Sequence, residues 1–128
     1  MTHPSANHEI VHRLPHRDPF LFVSAMVEIE PGCRAVALWR VTGREAFFQG
    51  HFPGHPIMPG VLLIEGMAQT AGALCVHSLG VESRPALVYF MGIDGVKFRR
   101  PVVPGDTVRY HVTKTRSRGR AWRFRGEA

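Results

Sequence analysis

The chain has 128 residues, enough for one hydrophobic core but too few for two domains of ordinary size. Hydrophobic residues make up 45%, as in a globular protein, while 16 Lys and Arg against 10 Asp and Glu leave a formal charge of +6. That surplus points to an acidic partner, whether nucleic acid, an anionic surface or an acidic carrier protein, and composition does not choose among them.

Residues 1–9 are polar and expected to fray. Pro15 and Pro19 lead into Phe20-Leu21-Phe22-Val23, which reads as the opening of a strand running to Ile29. Pro31-Gly32 signals a turn. Residues 34–42 then form the returning strand of a hairpin, with Ala35, Ala37, Trp39 and Val41 alternating against Val36, Leu38 and Arg40. After a loop rich in proline and glycine, Pro59 suits the start of a helix, because the amide hydrogen it lacks would have no partner there. The helix begins near Gly60, and its apolar residues run nearly all the way round, so it is expected to be buried on most sides. Ser83-Arg84-Pro85 breaks the chain before a β-rich run at 87–91, and residues 97–103 continue extended past a bend at Gly92 to Gly95. Pro104-Gly105-Asp106 turns into a half-buried strand, with Val108, Tyr110 and Val112 alternating against Arg109, His111 and Thr113. Ser117-Arg118-Gly119-Arg120 turns once more into residues 121–127. One long helix among five or six strands predicts a single α+β domain over residues 1–128, an antiparallel sheet wrapped around a central helix.

The most informative stretch is Gly50-His51-Phe52-Pro53-Gly54-His55-Pro56-Ile57-Met58-Pro59-Gly60. Its prolines and glycines restrict the backbone, so His51 is held in place as a general base must be. Glu65 and Gln69 lie four apart on one helix face, the polar exception in an apolar element, and a carboxylate there is either paired or working. The run from Ile57 to Leu79 is long enough to span a bilayer at about 1.5 Å per residue, but a carboxylate near its middle argues against that. His51 and His55 have the spacing of a helical metal pair, yet Pro53, Gly54 and Pro56 forbid a helix between them and no further ligands stand nearby, so no metal is expected. His55 is expected to order the loop by hydrogen bonding. The cysteines, Cys33 and Cys75, form neither a disulfide framework nor a metal spacing, and residues 1–12 lack the apolar core of a signal peptide, so a reducing cytoplasm is the default. Cys75 reads as an inert small hydrophobe.

Four blocks in order carry a resemblance: Leu14-Pro15-His16-Arg17-Asp18-Pro19-Phe20-Leu21, the segment from Gly50 to Gln69, Leu87-Val88-Tyr89-Phe90-Met91-Gly92-Ile93-Asp94, and Lys97-Phe98-Arg99-Arg100-Pro101-Val102-Val103-Pro104-Gly105-Asp106. From about Ile10 onward the chain resembles the FabZ-type 3-hydroxyacyl-acyl-carrier-protein dehydratases. The resemblance implies a hot-dog fold and a homodimer assembling to a hexamer as a trimer of dimers. It also implies active sites at the dimer interface, with the base from one subunit and the acid from the other. By position, the base is His51 and the acid Glu65, Gly60 supplies an amide to the thioester carbonyl, and Tyr89 stands at the mouth of the acyl tunnel; Gln69 is read from its place on the helix as supporting, either holding Glu65 or bonding backbone. The partner implied is an acyl carrier protein, met by Lys97, Arg99 and Arg100; no cofactor is implied. The family usually continues with a further strand past the position of Ala128, so either that segment lies beyond this sequence or the sheet has an open edge at 121–127.

The chemistry fits those residues. Dehydration needs a neutral His51 to take the proton beside the carbonyl, while burial among Leu62, Ile64 and Met67 favours the protonated Glu65 that must give one. Aspartate marks the dehydratase-isomerase branch at the acid position, so glutamate favours simple dehydration. His16 and Arg17 fit either the tunnel edge or a structural loop. Two other readings of function stand beside this one: a hot-dog thioesterase, which would release free acid, and a non-catalytic acyl-binding subunit. Nucleic-acid binding by the arginines would need a reading element that no segment is free to form.

Overall fold

The computed structural model describes residues 10–80, 90–119 and 121–128. Gly32, at φ 74°, turns the chain between strands β1 (Ala25–Glu30) and β2 (Arg34–Arg40), and Cys33 N–H closes the turn on the Glu30 carbonyl at 2.9 Å. Strand β3 (Thr107–Arg118) pairs with β2, and Gly119, at φ 61°, reverses it into β4 (Ala121–Glu127). All three pairings are antiparallel and the order is β1-β2-β3-β4. The β2–β3 register sets Ala35 opposite Val112, Ala37 opposite Tyr110 and Trp39 opposite Val108, which puts six buried side chains on one face.

Helix α1 (Gly60–Leu79) covers that face. It starts at Gly60 directly after Pro59 (φ −56°) and stops at Gly80, whose φ of 68° and N–H bonds to the His77 and Val76 carbonyls form a left-handed cap. By length and hydropathy α1 would pass for a membrane span, but its packing on β2 and β3 accounts for its apolar character. Leu14 and Leu74, both fully buried, each contribute about 1.5–3 kcal/mol of burial. An aromatic group of Phe22, Trp39, Phe47 and Phe48 fills the end of the core beneath the His51 loop.

Two expectations need correction and a third needs narrowing. Residues 20–23 are not a strand: the carbonyl of Phe20 and the N–H of Phe22 are bonded by the Gln69 side chain, at 2.8 Å each, so a neighbouring strand cannot use them. Residues 97–103 form no ladder either; the Val102 carbonyl accepts from Met58 N–H and Val103 N–H donates to Asp106 Oδ2. Four strands therefore stand among the described residues where five or six were expected, with 87–89 outside them. Lastly, the expected burial of α1 on most sides holds along its second half, where Gln69 to Leu74 and Val76 are all buried, but it is incomplete elsewhere: Leu63, Ile64, Met67, Ala68 and Cys75 line an open groove of about 2490 Å³, bounded across from them by residues 90–102 and by β3 and β4.

Candidate active site

The short 3-10 helix Ala46–Gln49 lifts the chain off the aromatic core and into the histidine loop. Phe47 lends its carbonyl to His51 N–H at 3.1 Å, and the His51 carbonyl accepts from Ile57 N–H at 2.9 Å. The ring is fixed as well. His51 Nδ1 lies 2.7 Å from the Ile57 carbonyl oxygen. A carbonyl only accepts, so Nδ1 carries the hydrogen and the neutral ring presents Nε2 as a bare base. His55 orders the same loop, but through its backbone: its N–H and carbonyl bond the carbonyl and N–H of Phe52 at 2.9 and 3.1 Å, while its side chain is exposed.

Gly60 follows as the first residue of α1, where a backbone N–H has no acceptor within the helix and the helix end is positive. The ring of Phe98 lies over it, its Cε1 2.8 Å from where a Cβ on Gly60 would sit. The segment bearing the exposed Lys97, Arg99 and Arg100 therefore passes beside the start of α1.

Glu65, one turn further on, is half-buried. Its Oε2 accepts from Gln69 Nε2 at 2.9 Å. Gln69 is itself fully buried and satisfied: Oε1 accepts from Phe22 N–H, and Nε2 donates also to the Phe20 carbonyl. Gln69 thus bonds both the Glu65 side chain and the backbone of residues 20–22, which it anchors to the helix. Sequence reasoning missed a third group: His16 Nε2 is 3.3 Å from the same Glu65 Oε2. The available signal was a histidine held between Pro15 and Pro19. Arg17 fits the structural reading, for its guanidinium gathers the carbonyls of His12, Leu14 and His16.

Among the described residues no hydrogen bond or ion pair joins His51 to Glu65 within the chain. No group of three His, Cys, Asp or Glu among them is arranged to hold a metal. Tyr89 lies outside the described residues, as does Arg120. Cys75, in the groove wall, has its thiol pushed up to about 11 by burial, against the opposing pull of Lys114, so it stays protonated at neutral pH. The arginines of β4 are solvated: Arg123 reaches Asp94 at 3.4 Å and Arg125 reaches Glu127 at 4.0 Å, exposed pairs that contribute little.

Residues 14–128 match the FabA-like domain family. The chain is 55% identical over 119 residues to a 3-hydroxyacyl-[acyl-carrier-protein] dehydratase FabZ of Acidiphilium cryptum, covering 93% of this chain and 72% of that protein. It is 56% identical over 120 residues to the FabZ of Sinorhizobium fredii, covering 94% and 77%. Among solved structures, the dehydratase heterocomplex ApeI:P from Xenorhabdus doucetiae superposes with a TM-score of 0.76 at 18% identity, over 99% of this chain and 81% of that one, which bears on the fold alone. An antiparallel sheet packed on one long helix is the hot-dog arrangement, and on sequence the chain belongs to the FabA-like family, among the FabZ 3-hydroxyacyl-[acyl-carrier-protein] dehydratases.

Proposed function

We propose that this chain dehydrates 3-hydroxyacyl thioesters carried on acyl carrier protein to trans-2-enoyl thioesters in cytoplasmic fatty-acid elongation. His51 acts as base and Glu65 of the partner subunit as acid, in a homodimer that assembles further to a hexamer. The observation that carries the reading is the bond between His51 Nδ1 and the Ile57 carbonyl, which leaves Nε2 free to take a proton.

The steps follow from that tautomer. His51 Nε2 removes the proton from the carbon beside the thioester carbonyl, and the Ile57 carbonyl then stabilises the imidazolium that forms. Charge moving onto the thioester oxygen meets the Gly60 N–H and the positive end of α1; losing one such donor costs about 3 kcal/mol. As the bond to the 3-hydroxyl breaks, the Glu65 proton leaves with it as water. The elimination is redox-neutral and needs no cofactor. Lys97, Arg99 and Arg100, exposed beside the start of α1, suit an acidic carrier delivering its thioester there.

The test is product analysis on a carrier-linked 3-hydroxyacyl thioester. The expected product is the enoyl thioester, with no free acid, and both His51→Ala and Glu65→Gln should abolish its formation while keeping the fold. Glu65→Gln keeps the size of the side chain but has no acidic proton to give. Free acid as the product, or turnover retained in Glu65→Gln, would remove the reading.

A further inference from the structure

Glu65 Oε2 faces two nitrogens at once. Gln69 Nε2 donates to it at 2.9 Å, and His16 Nε2 stands 3.3 Å away from an entirely different part of the chain. The orientation of Gln69 is settled by its own network, since its Oε1 accepts from the Phe22 amide and its Nε2 donates to the Phe20 carbonyl. The His16 ring is half-buried, and its Nδ1 is buried with no hydrogen-bond partner. A hydrogen on Nδ1 would be stranded there, whereas one on Nε2 lies on the side of the ring that is 3.3 Å from a carboxylate oxygen.

From this we infer that His16 is a positioning residue for the acid: as the Nε2–H tautomer it joins Gln69 in occupying Oε2, so that the transferable proton of Glu65 resides on Oε1. The inference rests on Glu65 being the acid of the proposed reaction. The backbone around His16 is built for such precision. Arg17 donates to the His16 carbonyl at 2.7 Å and to the His12 carbonyl at 3.1 Å, and Leu14 is fully buried beside them. A carboxyl free to swap its oxygens offers its proton in two directions, and a misplacement of about 1 Å in a reacting group lowers rates by as much as 100-fold. His16 therefore acts on the rate of proton delivery and not on substrate affinity.

Steady-state kinetics of three His16 variants and Glu65→Gln, on one carrier-linked 3-hydroxyacyl thioester, test this. His16→Leu should lower kcat by about 10- to 100-fold with KM within about twofold, and His16→Gln, which keeps an N–H near the same reach, should recover most of the loss. Unchanged kcat in His16→Leu with Glu65→Gln inactive would overturn the role of His16 alone. So would a raised KM at unchanged kcat, the result expected of a tunnel-edge residue. Turnover in Glu65→Gln would instead remove the acid reading beneath it. Should His16→Leu fail to fold, His16→Gln and His16→Glu decide: both are polar, but Glu presents an acceptor to Oε2. The Gln variant should then be faster in kcat by at least about tenfold, and equal rates would overturn the inference.

Discussion

The ring of Tyr110 occupies the space that a side chain at position 66 would need: a Cβ on Gly66 would lie 2.2 Å from both Cζ and the hydroxyl oxygen of Tyr110. Tyr110 is fully buried and its hydroxyl has no partner, so nothing but the absence of a side chain at Gly66 lets α1 settle this close to β3. Because Gly66 adjoins Glu65, the same contact sets the depth of the Glu65 side chain.

Gly66→Ala should therefore destabilise the fold by about 1–3 kcal/mol, the cost of overpacking a filled core, and lower turnover with it. Tyr110→Phe removes an orphan hydroxyl and should be close to neutral alone, yet recover part of the loss in the double variant. Urea melts of the four proteins measure this. Strict additivity would mean that the helix and ring do not meet as described.

Glu45 folds the loop that leads to His51. Its carboxylate accepts from Thr42 N–H and Thr42 Oγ1 at 3.0 Å and from Gly43 N–H at 2.8 Å. Burial opposes its ionisation, but the backbone and hydroxyl donors together outweigh burial and hold the carboxyl below its ordinary value. With the folded value depressed, its contribution is complete above about pH 4.3, the unfolded value, and is lost as pH falls through the folded one. The stability difference between the native chain and Glu45→Gln should be constant from pH 7 to 5 and shrink below pH 4. A difference that grew on acidification would reverse the sign and refute the account.

Much of this was legible because it was local. Pro59 marked the start of α1, Pro31-Gly32 marked the hairpin, and the confinement of His51 followed from prolines within a few residues of it. What escaped depends on contacts between distant segments. Phe20-Leu21-Phe22-Val23 has the composition of a strand, but the residue that claims its backbone, Gln69, is 47 to 49 positions away. His16 next to Glu65 was invisible for the same reason. The groove along Leu63, Ile64, Met67, Ala68 and Cys75 escaped because an all-round apolar pattern says that a helix is covered, not which segment does the covering at each turn.

Lys97, Arg99 and Arg100 are all exposed, so their pull on an acidic carrier should be screened over about 8 Å at physiological salt. Apparent affinity for a carrier-linked substrate should fall as salt rises, while that for a small uncharged thioester should hold. Charge reversal at Arg99 or Arg100 should imitate high salt. Equal salt dependence for the two substrates would leave these residues without a part in docking.

The proposed shared site makes a sharper prediction. If His51 of one chain works beside Glu65 of the partner subunit, a dimer of His51→Ala chains is dead at both sites, and so is a dimer of Glu65→Gln chains. A mixed dimer has one site with both residues intact and one with both replaced. Unfolding equal amounts of the two variants and refolding them together should make about half the dimers mixed, each with one working site of two, so roughly a quarter of native activity should return. A site built within one chain has no such rescue, since every chain still carries one lesion. Mixed dimers identified by mass but without recovered activity would place both groups on one chain, even though no contact joins His51 to Glu65 within the described residues.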